Sequence, residues 1–235
     1  MTRSPSCFDD SRIGRLARIV VPGLPYHVTQ RGNGRQTTFF EDADYAFSQR
    51  CLAESCRAAG VEVWAWCLMP EPVHLLLVPP DKDGLRRALA PVHRRYAGHI
   101  HARQKRTGHF WQGRYGAVAL DEDHVITALR YIALNPVRAG LVPAAADWPW
   151  ASTRAQLEGR DDGLTARAPV SRRVPAFADL LALGPEEAGF ERLRRGESVG
   201  RPLGSESFLR QLEAATGRLL RPGRRGPKRK KERQE

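Results

Sequence analysis

Met69-Pro70-Glu71-Pro72-Val73-His74-Leu75-Leu76-Leu77 is the stretch on which the fold and the chemistry both turn. Residues 73–78 are almost continuously apolar, the pattern of a strand buried on both faces and hence central in its sheet. Proline has no N–H to give to a ladder, so Pro72 belongs at the start of that strand. A strand carries alternate side chains on one face, so positions 72 and 74 point together. A single-metal nuclease site built on a strand needs two ligands at that spacing. This strand offers His74 at one position and a proline at the other.

Working outward, residues 61–68 alternate Val61, Val63, Ala65 and Cys67 with Glu62, Trp64 and Trp66, a period of two that predicts a second strand. Pro22-Gly23-Leu24-Pro25 turns the chain into a short strand at residues 26–30, and Arg31-Gly32-Asn33-Gly34-Arg35 is a glycine-rich turn. Asp42 or Asp44 can cap a helix that runs to about Ala59 and stops at Gly60. Residues 84–106 form a basic helix that Pro91 should kink or divide. A strand follows at 114–120. A helix capped by Asp121 or Asp123 then ends at Asn135, before Pro136.

The order β-α-β-β-α-β-α predicts an α+β fold: a ferredoxin-like, split βαβ antiparallel sheet with helices on one face. The open face and its basic loops would make a nucleic-acid platform. The boundaries follow as a flexible N-terminus at 1–14, the main domain at 15–153 and an Arg/Asp/Gly-rich linker at 154–173. A small helical appendage at 174–220 and a disordered basic tail at 221–235 complete the chain.

Net charge is +12 over 235 residues, which selects a polyanion as partner. Eight Lys or Arg against Glu232 and Glu235 put +6 of it into residues 221–235, where Arg224, Arg225, Lys228 and Lys230 would bind phosphates without reading sequence. Among the other basic residues, Arg31, Arg35, Arg94, Arg95, Arg114 and Arg138 are candidate DNA contacts, and Trp111, between basic residues, could stack a base or pack in the core. No apolar run is long enough for a membrane span, and residues 1–10 have no secretory apolar region. Cys7, Cys51, Cys56 and Cys67 lack metal-finger spacing. Together these point to a reducing cytoplasm.

Tyr131 and Asn135 are four apart, hence on one helical face one turn apart. A phenolate can attack phosphorus and split strand cleavage and rejoining into two reversible steps, and an amide oxygen can complete a metal's coordination. From spacing alone, a core tyrosine and a helix-ending asparagine explain the pair better. His74 alone likewise reads more readily as a structural residue than as a ligand.

Four motifs come in order: His27-Val28-Thr29-Gln30-Arg31-Gly32-Asn33, Met69-Pro70-x-x-Val73-His74-Leu75-Leu76, Phe110-Trp111-Gln112-Gly113-Arg114-Tyr115, and Tyr131-Ile132-x-x-Asn135-Pro136-Val137-Arg138-Ala139-Gly140. With Asp147-Trp148-Pro149-Trp150-Ala151-Ser152, they resemble the REP-associated tyrosine transposases, a branch of the single-tyrosine HUH (His-hydrophobic-His), IS200-like transposases, over about residues 15–153. Gly200-Arg201-Pro202-Leu203-Gly204-Ser205 also looks like the C-terminal extension of many relatives.

The resemblance implies a prokaryotic, nucleoid-associated protein that cleaves and rejoins single-stranded DNA at REP-like hairpins through a 5′-phosphotyrosine. It implies Mg²⁺ or Mn²⁺ as cofactor, Tyr131 as nucleophile, and His74 and Asn135 as metal ligands. The family pattern Pro-x-His-hydrophobic-His departs here at Pro72. Glu71 from the strand end, or His27 from a neighbouring strand, could stand in. The rivals are a DNA-binding derivative that has lost the chemistry and, more weakly, an RNA-binding module.

Overall fold

The computed structural model describes residues 19–184 and 186–220. Four antiparallel strands, β1 (Tyr26–Gln30), β2 (Glu62–Leu68), β3 (Val73–Val78) and β4 (Gly116–Ala119), lie in the order β2-β3-β1-β4. This is the split βαβ order, with the continuously apolar β3 in the centre beside β1. Pro72 is buried immediately before β3, after a cis Glu71–Pro72 peptide, and takes no place in the ladder.

Alternation along the strands sorts their side chains into two cores. Tyr26, Val28, Leu75 and Leu77 face α1 (Asp42–Ala59) and α2 (Gly84–Gln104), where Leu52, Leu89 and Tyr96 meet them. Leu76, Val78 and Val118 face the other way, into Val125, Leu129 and Ile132 of α3 (Glu122–Arg138). Helices therefore cover both faces of the sheet, not one, and among the described residues no open platform remains. The reason is the second apolar set on β2, β3 and β4: exposing it would forfeit roughly 1.5–3 kcal/mol for each large side chain.

Two prolines behave differently from expectation. Pro91 lies inside α2 without dividing it, and Pro136 lies inside α3, which runs on to Arg138. Near a helix end a proline forfeits one bond, and here the Ala139 N–H closes the last turn on the Asn135 carbonyl. Asp121 caps α3 by accepting from the His124 N–H at 3.1 Å. For α1 the cap position is Glu41 instead of Asp42 or Asp44. The Asp44 carboxylate reaches back to the N–H groups of Phe40 and Glu41, at 2.9 and 3.3 Å. Gly60 ends α1 at φ +66°, a left-handed conformation that suits glycine.

Residues 154–173 are not a free linker. α4 (Thr153–Glu158) and α5 (Arg167–Arg173) lie along the β2 edge, where Trp66 Nε1 donates to Asp162 and Thr165, both at 3.1 Å, and Val170 is fully buried. Beyond them come α6 (Phe177–Ala182), α7 (Glu187–Val199) and α8 (Glu206–Thr216). Phe177, Leu180, Phe190 and Leu193 pack on α3, so α6 and α7 belong to the second core. Leu203 then bridges Leu120 at the outer edge of the sheet. The expected N-terminal flexibility and the basic tail with Arg224, Arg225, Lys228 and Lys230 lie outside the described residues.

Candidate active site

The site forms on the α3 side of the two central strands. Thr29 pairs with His74 and His27 with Leu76, so His27 and His74 are diagonal neighbours on one sheet face. Their rings stack at 5.4 Å with 13° between planes, and His27 Nε2 lies 3.2 Å from His74 Nδ1, one imidazole donating to the other. Tyr131 comes down from α3 and meets both rings edge-on, at 5.7 Å from His27 and 5.4 Å from His74. The Arg138 guanidinium sits 5.6 Å above the Tyr131 ring.

α7 closes the pocket. Its Glu197 brings Oε1 to 3.7 Å from His27 Nδ1 and Oε2 to 3.6 Å from Arg31, which also donates to Glu71 at 3.2 Å. A separation of 3.7 Å is too long for a hydrogen bond. His27 Nδ1 and Glu197 Oε1 are in fact both buried without a hydrogen-bond partner.

Burial dominates the electrostatics. It pushes His27 down to about 3, and it holds His74 well below the usual histidine range, helped by His27 and Arg31. Both rings are therefore neutral at pH 7, the form that binds metals. Burial, with the Glu197 charge adding to it, pushes the Tyr131 phenol up to about 12 against the opposing pull of Arg194, Arg138 and Arg31. Burial also lifts Glu197 to about 7, although Arg31 and Arg194 pull it down.

Beside this pocket opens a cleft of about 390 Å³ lined by Arg31, Arg35, Arg114, Arg194 and Arg195, with Glu197 on its wall. Such a lining suits a phosphodiester backbone.

The family profile described as transposase, IS200 like, matches residues 20–135, which include β1, β3 and most of α3. The chain belongs to the IS200-like transposase family. Members of that family are metal-dependent HUH tyrosine transposases. This IS200-like transposase is 28% identical over 110 residues to a Haemophilus influenzae protein named "Putative REP-associated tyrosine transposase". That match covers 42% of the chain and 62% of the relative, so the chain spans less than two thirds of it. In fold it is similar to a REP-associated tyrosine transposase solved bound to a REP hairpin, with a TM-score of 0.54 and 21% identity over 62% of this chain and 86% of that one.

Of the residues singled out in the sequence of this IS200-like transposase, Tyr131, His74 and His27 come together. Asn135 lies one turn farther along α3, buried, with its Nδ2 unpartnered. Glu71 does not reach the histidines through a contact of its own: its carboxylate is engaged by Arg31. Arg31, Arg35 and Arg114 share the cleft. Arg94 and Arg95 lie instead on α2 beside α1, with Arg95 on Glu54 at 2.7 Å, and Arg138 reaches Glu187 at 3.1 Å. Trp111 is half-buried against Tyr96 and Phe110, its Nε1 donating to the His93 carbonyl at 2.9 Å, so much of the ring is committed to packing. Glu197 escaped the sequence reading. It is one of three acids in a helix that also carries three arginines, and only the docking of α7 gives it meaning.

No helix among the described residues is long and apolar enough to cross a membrane. Cys51, Cys56 and Cys67 are free, buried thiols.

Proposed function

We propose that this IS200-like transposase binds hairpin-forming single-stranded DNA and cuts and rejoins it through Tyr131. The observation that carries this is the Tyr131 ring set edge-on against two neutral imidazoles, at 5.4 and 5.7 Å, on the face where β1 and β3 meet α3. In the forward step Tyr131 Oη attacks the scissile phosphorus, and the P–O3′ bond breaks. The phosphate stays on tyrosine as a 5′-phosphotyrosine, the phenol proton is given up to solvent, and the 3′ oxygen takes a proton from solvent and leaves as a hydroxyl. Attack by a 3′-hydroxyl on the phosphotyrosine reverses the step. One phosphodiester replaces another, so no nucleotide cofactor is required.

The phenol is neutral at rest, so its proton has to leave as the new P–O bond forms; the buried imidazoles, held far below the usual histidine range, serve as ligands and not as its acceptor. A divalent ion, when bound, supplies Lewis-acid polarisation of the phosphate. Its holders would come from His74, His27, Glu197 and Asn135, and the unpartnered atoms of His27 and Glu197 fit a cation. Arg31, Arg35 and Arg114 bind the strand backbone along the cleft. Tyr131 is 5% exposed, so the α7 wall has to give way for the phosphate to arrive.

Labelled hairpin DNA incubated with the protein and Mn²⁺ tests the proposal. We expect a cleaved strand and an SDS-resistant adduct. Tight binding with no cleavage at any metal concentration would establish the alternative, a DNA-binding derivative, which Pro72 and the closed α7 wall favour. Arg35→Ala with Arg114→Ala probes the cleft separately. If each contacts one phosphate, the slope of log K against log salt should flatten by about 0.7 per residue on single strands. An unchanged slope would remove both from the DNA path.

A further inference from the structure

We propose that His27, His74 and Glu197 form one transition-metal site in which β1 and α7 supply the ligands that position 72 cannot. Each of the three offers a donor atom within 4.8 Å of the others, and a metal held by both rings replaces the His27–His74 hydrogen bond. The second imidazole comes from the diagonal neighbour across the β1–β3 ladder instead of from two residues back on the same strand. The third ligand comes from outside the matched family segment, which ends at residue 135.

Two observations point to a cation in particular. His27 Nδ1 and Glu197 Oε1 face one another at 3.7 Å, both buried and both without a hydrogen-bond partner. Buried polar atoms are nearly always satisfied, so this pair calls for something between or beside them. Arg31 bridges Glu197 and Glu71, which fixes the Glu197 carboxylate from behind, as outer partners of metal ligands do.

The donor set then selects the ion. Two imidazole nitrogens and one carboxylate suit Zn²⁺, Mn²⁺ or Co²⁺, whereas Mg²⁺ prefers an all-oxygen octahedron. The single carboxylate offsets half the charge of a divalent ion, and the neutral imidazoles add none. A metal held this way also ties α7 to the central strands, so the site is incomplete without the C-terminal helices. The inference deepens the strand-transfer proposal and rests on it for the metal's purpose, not for its binding.

The test is Co²⁺ titration of the full-length, chelator-stripped protein, followed by visible absorption. We expect one equivalent with d–d bands, displaced by Zn²⁺ and not by an equal concentration of Mg²⁺. Glu197→Gln keeps the shape of the side chain and should weaken Co²⁺ by at least about tenfold, because even outer-shell losses cost roughly 10–100-fold. Glu197→Ala should match it. Wild-type affinity and spectrum in Glu197→Gln, with circular dichroism unchanged, would overturn the inference, as would a wild type that binds no Co²⁺. Tight, Glu197-dependent Co²⁺ binding without any DNA adduct would support the site and overturn only the cleavage proposal.

Discussion

The Tyr131→Phe protein should bind hairpin DNA as tightly as the wild type and give no covalent adduct. The substitution removes one oxygen and keeps the ring. Its edge-on contacts with His27 and His74, its packing on Phe190 at 5.2 Å and the Arg138 guanidinium above it all survive. Binding comes from the arginine cleft, which the substitution does not touch. Loss of the nucleophile eliminates a covalent step outright instead of slowing it, because the phosphoryl group has no other place to rest. A tyrosine serving only as core filler would behave differently: Tyr131→Phe would then leave any nicking activity where it was. Affinity measured in parallel with adduct yield separates the two.

The largest expected effect on stability is at Asp44. Its side chain is fully buried and accepts from Arg103 at 2.6 and 2.8 Å, while Glu41 also pairs with Arg103. The same carboxylate holds the N–H groups of Phe40 and Glu41, and so ties the start of α1 to the end of α2. Asp44→Ala leaves those N–H donors without their acceptor and the Arg103 guanidinium with Glu41 alone. Breaking a buried pair costs about 3–5 kcal/mol, and the lower end, ~3 kcal/mol, applies because Arg103 is partly exposed and screened. The pH dependence follows from the same contacts. Burial pushes the Asp44 carboxyl up, but the bonds from Arg103, Phe40 and Glu41 outweigh it and hold the group below the usual carboxylate range. Its folded pKa is therefore below its unfolded one. The stabilisation is present above the ordinary carboxylate pKa and is lost as pH falls through the folded value. Thermal melts should show the gap between wild type and Asp44→Asn closing on acidification. A gap that stays constant down to the acid limit would contradict the assigned role.

Much of the fold was legible because its signals were local. Residues 26–30 and 73–78 are strands residue for residue, each bounded by prolines or a glycine-rich turn, and Gly60 ends α1 where the αL signal placed it. What was missed depended on tertiary contact. The same continuous apolar run that marked β3 as central also required a cover on its second face, and α3, α6 and α7 provide it. Residues 154–173 have a loop-like composition, but Trp66 and Val63 supply hydrogen bonds from the sheet that hold them in place.

The site shows the same division. Tyr131 and His74 could be picked out from spacing and motif, and His27 could be suspected as a stand-in for the missing ligand. Reading along one strand found only the gap at Pro72. The register between β1 and β3 is a property of two strands, and it sets His27 beside His74. Glu197 carried no local signal, because what singles it out is the packing of α7 against α3 and β4.

Peptide mapping of the DNA adduct by mass spectrometry tests the central claim most directly. The account predicts a single modified peptide in which a nucleotide is joined through its 5′-phosphate to Tyr131. An adduct on any other residue, or a strand cut with no protein attached, would contradict it.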